Sequence, residues 1–451
     1  MFKIFVLVFF MMPGLVTAQD STRLVKNQLK IKKGWTFGAL PSISFDSDLG
    51  FQYGGLVNFY YFGDGSTYPR YKHSIYMELS RTTKGSGINR FYYDSKYLIP
   101  HVRVTADISL LTEQAMHFFG FNGASSVYNH RWEIQGDPEY RSRVFYRHDR
   151  KIFRVMPWFQ GDLIKGNRNW RWIAGFSYHD TRIGSVNIDR LNKGKNLSDT
   201  LPHIDGLYEK YIQWGIISNE EKNGNALTYF KGGIIYDSRD NEANPFKGIW
   251  TEAVLSYSPS FLGTWNQSYS KFTFIHRQYL TLKPDRLSFA YRLAYQGTLS
   301  GKVPFFAEPE IVPSVLTSAT NQGLGGSRTL RGILRNRVVG DGIVFGNFEL
   351  RWKFLKTVVF NQNLYLGTNL FFDNGMVVDK ISQDLSKAYS LLGYAEFKNY
   401  FSDKKEKLHS SAGIGLKVAL NENFIVSCDY GRAFDPNDGN SGVYIALNYL
   451  Y

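Results

Sequence analysis

Cysteine is almost missing from this chain. A single Cys428 among 451 residues excludes an intramolecular disulfide framework and any multi-cysteine metal site. The nine histidines include no HExxH and no close pair at ligand spacing, so neither a metal nor another cofactor is expected. Proline is scarce, at 14 against 42 glycines. With 43% hydrophobic and 16% aromatic residues, the chain is too apolar for intrinsic disorder. Beyond residue 18 no apolar run reaches the ~18 residues of a transmembrane helix, which excludes a helical plasma-membrane protein. Acidic residues fall short of basic ones, 39 against 53, and leave a net charge of +14.

That charge invites a nucleic-acid reading. The N-terminus argues against it. Lys3 forms a short positive region, Ile4 to Met12 an apolar stretch, and Val16-Thr17-Ala18 offers small residues for cleavage before Gln19. Residues 1–18 therefore read as a secretory signal peptide. The basic charge is expected to face anionic lipid headgroups or line a lumen, and nucleic acid is not expected as a partner. Length alone would allow two or three soluble domains.

The rest of the chain alternates apolar and polar residues at period two, with turn clusters between segments. In 286–299, Leu287, Phe289, Tyr291, Leu293 and Tyr295 share one face, and Ser288, Ala290, Arg292, Ala294 and Gln296 the other. In 344–354, Val344, Phe348, Leu350, Trp352 and Phe354 alternate with Asn347, Glu349, Arg351 and Lys353. In 363–373, Leu364, Leu366, Leu370 and Phe372 oppose Gly367, Asn369 and Asp373. A soluble sandwich would bury the apolar face; a transmembrane barrel would turn it to lipid around a polar lumen. Segments of about 10–14 residues suit tilted spanning strands. Aromatics at segment ends (Phe59 to Phe62, Trp170 with Trp172, Tyr449 with Tyr451) suit interfacial girdles.

Sixteen candidate strands run from 35–45 to 441–451, an even number as in bacterial barrels. The expected fold is an all-β, sixteen-stranded antiparallel transmembrane β-barrel over 35–451, closed between its first and last strands. A short periplasmic segment, 19–34, would precede it. That segment is too short for a folded module, which needs at least ~40–50 residues. The strongest breaks, 183–225 and 300–341, read as long surface or functional loops.

Within the second break, residues 323–333 read Gly-Leu-Gly-Gly-Ser-Arg-Thr-Leu-Arg-Gly-Ile. A phosphate loop would need a GK[ST] ending, which is absent. Leu330-Arg331-Gly332-Ile333 instead resembles the VRGF/Y motif of the BamA/TamA family of outer-membrane barrels, the bacterial surface antigen superfamily. Gly346-Asn347-Phe348-Glu349-Leu350-Arg351 is similar to that family's strand-twelve ELR segment. Phe371-Phe372-Asp373-Asn374-Gly375 is similar to its strand-thirteen FxDxG segment. Asp237-Ser238-Arg239-Asp240, with Pro245, Lys247 and Gly248, resembles its DTRDN…P.KG hairpin. Leu330 and Ile333 depart from the pattern, which would remove aromatic packing at the tip.

The resemblance implies that 300–341 is a long extracellular loop folding back into the lumen. Arg331 would then need carboxylates, because a desolvated guanidinium is costly without them. Glu349 and Asp373 fall on the lumenal parity of adjacent strands and are the expected partners. Such a contact could serve transport, or could only stabilise the barrel or block a pore. Asp237, Arg239 and Asp240 lack an EF-hand spacing and fit a hairpin salt-bridge network better than a calcium site.

The resemblance further implies assembly, insertion or translocation of proteins at the cell outer membrane of a diderm bacterium. Expected partners are outer-membrane lipid and lipopolysaccharide, unfolded outer-membrane or secreted clients, and separate periplasmic or lipoprotein partners. The chain resembles the branch that lacks periplasmic POTRA receptor domains. The alternative is a gated pore or a structural partner of another envelope complex. No enzyme is expected: His148-Asp149 and His179-Asp180 belong to no ordered catalytic signature, and neighbours on a strand point to opposite faces. Cys428 reads as a small packed residue.

Overall fold

Period-two alternation becomes a closed wall. The computed structural model describes residues 32–47, 49–67, 71–242, 244–311, 323–359, 362–420, 424–447 and 449–451. Among these, sixteen antiparallel strands close into one barrel in place of the two or three soluble domains that length alone would allow. Strand β1 has two pieces, Trp35–Pro41 and Ser44–Asp46, both paired with the second strand. The others are β2 (Gly50–Tyr61), β3 (His73–Thr82), β4 (Ser86–Ile99), β5 (Val102–His117), β6 (Arg147–Ile164), β7 (Asn167–Gly184) and β8 (Ala226–Asp237). There follow β9 (Gly248–Ser258), β10 (Tyr269–Lys283), β11 (Leu287–Gly301), β12 (Gly342–Val359), β13 (Gln362–Asp379), β14 (His409–Leu420), β15 (Phe424–Ala433) and β16 (Ser441–Leu447). The signal-peptide segment 1–18 lies outside the described residues. Of segment 19–34, only 32–34 is described, where Gly34 exchanges backbone hydrogen bonds with Gly63 and Phe62.

The two faces of the wall follow the sequence parity. Leu293, Leu350, Trp352, Phe354, Leu370 and Phe372 stand exposed on the outside. Arg292, Asn347, Glu349, Arg351, Lys353, Asn369 and Asp373 are buried on the inside. Such a band of outward apolar residues around a polar interior suits lipid, and closure gives the wall strands hydrogen-bond partners where lipid has none to offer. No helix among the described residues is long and apolar enough to cross a membrane.

One barrel end carries short turns, such as 165–166 and 284–286; the other carries the long connections after β5, β7, β11 and β13. Those connections form an aromatic core of their own. Phe118, Tyr146, Tyr211, Trp214, Phe305 and Tyr400 are buried against one another above the wall. The Arg141 guanidinium covers the Trp132 ring at 3.7 Å.

Two readings need correction. Tyr449 and Tyr451 are not girdle residues: β16 stops at Leu447, and both rings are buried in the lumen. The Arg351 guanidinium lies 4.2 Å from the Tyr449 ring and 5.1 Å from the Tyr451 ring. The Tyr451 hydroxyl donates to the Ala290 and Asn347 carbonyls, each at 3.1 Å. Cation–π contact and these acceptors draw the segment inward. Cys428 is exposed, not packed, because it shares the lipid-facing parity of its cross-strand partners Leu416 and Ile445.

The parity predicts a sharp contrast. Leu370→Arg, which puts a cation on the outer face, is expected to destabilise the barrel by about 2–4 kcal/mol. Leu197→Arg, at a loop residue 94% exposed, should be neutral. Urea unfolding of the refolded barrel in lipid vesicles measures both.

Candidate functional site

Loop 302–341 joins β11 to β12 and runs down into the barrel. Its described part is pinned by Gly332. This residue has φ +95°, and a Cβ there would stand 2.5 Å from the Gly431 carbonyl carbon on β15. A Cβ on Gly431 would in turn meet the Arg331 carbonyl oxygen at 2.6 Å. Two glycines therefore let the loop backbone lie directly on the wall backbone. Leu330 and Ile333 are fully buried among Ile275, Leu324, Val338, Ile343, Phe345 and Val377. A mainly aliphatic cluster, with Phe345 as its one ring, thus surrounds these positions.

Arg331 is 1% exposed. Its Nε and Nη2 donate to the two oxygens of Asp373 at 2.9 and 3.0 Å, and its backbone N–H donates to the same carboxylate at 3.0 Å. Nη1 lies 2.7 Å from Glu349 and 3.4 Å from Asp429. The guanidinium stacks on the Phe371 ring at 3.6 Å. Glu349 also takes Arg351 at 2.8 Å, and Asp429 takes Lys417 at 2.6 Å. Three cations thus meet three carboxylates. Burial works against the Arg331 charge, but Asp373 and Glu349 hold its proton well above the usual arginine range. The structure therefore places Arg331, Glu349 and Asp373 together, and it adds Asp429, Phe371 and Lys417, which motif reading did not supply.

The loop has further attachments that sequence reading missed. Arg335 reaches Glu113 on β5 at 2.6 Å. Glu308 meets Lys271 on β10 at 2.9 Å. Glu310 accepts the Tyr229 hydroxyl of β8 at 2.6 Å. Arg337 lies 3.7 Å from Asp438 in the β15–β16 loop. Charge on the loop was visible in sequence, but which of sixteen strands each charge meets depends on barrel register.

The loop tip also touches the line where the barrel closes. The Gly332 N–H donates to the Tyr444 hydroxyl of β16 at 3.0 Å. Tyr444 stands opposite Asp46, one of two register pairs between β16 and β1 among the described residues. Ser47 adds hydrogen bonds to Val443. By comparison, β12 and β13 share seventeen register pairs.

Asp237, Arg239 and Asp240 sit apart from this site, at the short-turn end. Asp237 takes Arg239 at 2.9 Å and Arg171 at 2.6 Å. Asp240 accepts backbone N–H groups of Asn241, Phe246 and Lys247 and so closes the turn. Among the described residues no group of three or more acidic, histidine or cysteine side chains is placed to hold a metal.

Arg331→Ala would leave Asp373 buried without its cation and Glu349 with Arg351 alone. A loss of about 3–5 kcal/mol is expected. Arg331→Lys keeps charge but not the fork, and should fall between. Gly332→Ala, which forces a side chain into Gly431, should expel the tip. Protease cleavage within 323–341, alongside the urea midpoint, reads out all three, with exposed Arg182→Ala as the control.

Comparison with known proteins fits this geometry. The Omp85 superfamily domain matches residues 73–448. A sequence search of curated proteins gave no match. BamA from Haemophilus ducreyi lacking POTRA domains 1–3 superposes with a TM-score of 0.53 at 14% identity, over 92% of this chain and 70% of that one. CdiB from Escherichia coli gives 0.53 at 11% identity, over 93% of this chain and 63% of that one. At such identities the likeness is one of fold, and the family match carries the assignment. This chain belongs to the Omp85 superfamily, and its barrel resides in the bacterial outer membrane.

Proposed function

We propose that this barrel assembles, inserts or translocates proteins at the outer membrane, acting through the line between β1 and β16 and without covalent catalysis. The observation that carries this reading is the contrast, among the described residues, between two register pairs there and seventeen between β12 and β13. The first piece of β1, Trp35–Pro41, pairs with β2 alone, while the segment after β16 turns into the lumen. An unpaired strand edge in lipid is a template on which a client strand can add. Superfamily membership supports a protein client. Lipid and lipopolysaccharide would flank the opening, and separate periplasmic or lipoprotein partners would deliver the client.

In this mechanism the loop tip acts as a latch. Gly332 holds Tyr444, so withdrawal of the tip would free one of the two closing pairs. The Arg331 network sets the depth at which the latch sits. A gated pore is the second reading. The aromatic core across the outer end argues against a wide constitutive channel, since Phe118, Tyr211 and Trp214 are nearly or fully buried there.

A reversible crosslink tests the first reading. In a Cys428→Ser background, Phe45→Cys with Ile445→Cys places thiols on directly opposed residues. After depletion of the native protein, the oxidised variant is expected to fail to restore the outer-membrane proteome, and reductant should recover it. Full restoration by the crosslinked barrel would overturn the mechanism. Depletion itself separates roles: loss of many barrels marks a general assembler, loss of one or a few surface proteins a dedicated exporter, and an unchanged proteome favours the pore.

A further inference from the structure

A second charge cluster lies inside the barrel toward the short-turn end, outside the ion pairs of Arg331. Across the wall, Asp237 of β8 stands opposite Trp250 of β9, Trp250 opposite Arg277 of β10, and Arg277 opposite Arg292 of β11. The guanidinium carbons of Arg239, Arg171 and Arg277 lie 4.5, 5.5 and 5.8 Å from the Trp250 ring centre. Among the described residues the ion pairs of this group run to one carboxylate: Asp237 pairs with Arg171 and Arg239. Arg292 is held by neutral groups, the Asn347 side chain at 2.8 Å and the Arg328 carbonyl at 2.9 Å. Arg277 makes no ion pair or hydrogen bond among the described residues, and its Nε is buried without a partner. Glu242 offers Arg239 only its backbone carbonyl, at 3.2 Å.

Two neutral donors share the patch. Trp250 is 5% exposed and Tyr279 2% exposed, and the indole N–H and phenol hydroxyl both lack partners. Tyr279 follows Arg277 on the lumenal face of β10, with the Arg351 guanidinium 5.7 Å from its ring. Opposed like charges destabilise a sheet, and buried donors without acceptors do so too. The same missing component relieves both: a compact anion with several acceptor oxygens. A carboxylate has two such oxygens. A phosphate group has more, carries up to two charges, and matches guanidinium forks in pairs.

We propose that Arg277, Arg292, Arg239, Arg171, Trp250 and Tyr279 form a phosphate-binding site on the lumen wall. The site lies outside the Arg331 ion-pair network, although Arg292 also touches the loop through the Arg328 carbonyl. Its residues share the lumenal parity of their strands, so a water-soluble phosphate would reach it from the lumen, whereas a lipid headgroup would first have to enter there.

The test is calorimetric titration of the purified, phosphate-free full chain with inorganic phosphate at constant ionic strength. Saturable one-site binding is expected. Arg277→Gln and Trp250→Phe should each weaken it about tenfold, the loss of one charge-assisted or one buried hydrogen bond. Arg182→Gln, exposed at the opposite end, should leave it unchanged. Heat-modifiable migration on gels confirms that each variant is folded. Repeating the titration in phosphatidylcholine nanodiscs with and without phosphatidylglycerol assigns the source. Competition by phosphatidylglycerol marks a lipid headgroup, and its absence marks a free phosphate; either supports the site. No saturable binding, or equal binding by folded Arg277→Gln, overturns it.

Discussion

A guanidinium with almost no solvent contact is stable only if acceptors surround it, and that requirement orders the inside of this barrel. Arg331 needs Asp373, Glu349 and Asp429, which come from three different strands. Those carboxylates bring Arg351 and Lys417, so charges balance within one closed network. Such a buried network adds little net stability over apolar packing, because desolvation offsets most of the attraction. What it fixes is position. An aliphatic tip could slide along an aliphatic wall, whereas a bidentate fork on Asp373 has one register. The depth of the loop, and hence the contact of Gly332 with Tyr444, follows from it.

That contact matters because the barrel is uneven around its circumference. Lipid cannot satisfy backbone groups, so closure favours full ladders between all neighbours. Most neighbours here comply, but β1 and β16 do not. Their short ladder is compensated from inside: the loop tip holds β16 through Tyr444, and Tyr449 and Tyr451 are held beneath by Arg351. The weakest line of the wall is therefore braced by lumenal side chains that can move without breaking long strand pairings.

Much of this was legible in the sequence, and for a physical reason. A wall between lipid and a polar lumen enforces strict alternation, so Leu350 and Glu349 declare opposite faces from composition alone. The same parity put Glu349 and Asp373 inside, and the family motifs selected them as partners of Arg331. Parity gives the face but not the height or the strand across the lumen. Asp429 lay on an evident strand, yet only the closed register brings it to Arg331. Arg335 with Glu113 is a contact across more than two hundred residues of chain that no local pattern encodes. Tyr449 and Tyr451 misled because an aromatic at a strand end suits either an interface or a cation, and Arg351 decides between them. Cys428 misled in the opposite way: its parity was readable, and its outward face follows from Leu416 and Ile445.

The two ends of the lumen differ in chemistry, and this bears on direction. The long-loop end is filled by rings from five loops, and its opening would expose Phe118, Tyr211, Trp214 and Phe305 to water. Apolar burial at roughly 25 cal/mol per Å² makes that costly. The short-turn end carries arginines that meet aromatic rings as well as carboxylates, as with Arg239, which lies over Trp250 and pairs with Asp237. Cation–π contacts leave the cation charged and able to accept another anion. On the proposed function, such a barrel would resist passage straight through the ring-filled end, and a client would have a lower-cost path sideways between β1 and β16, where the described ladder is short.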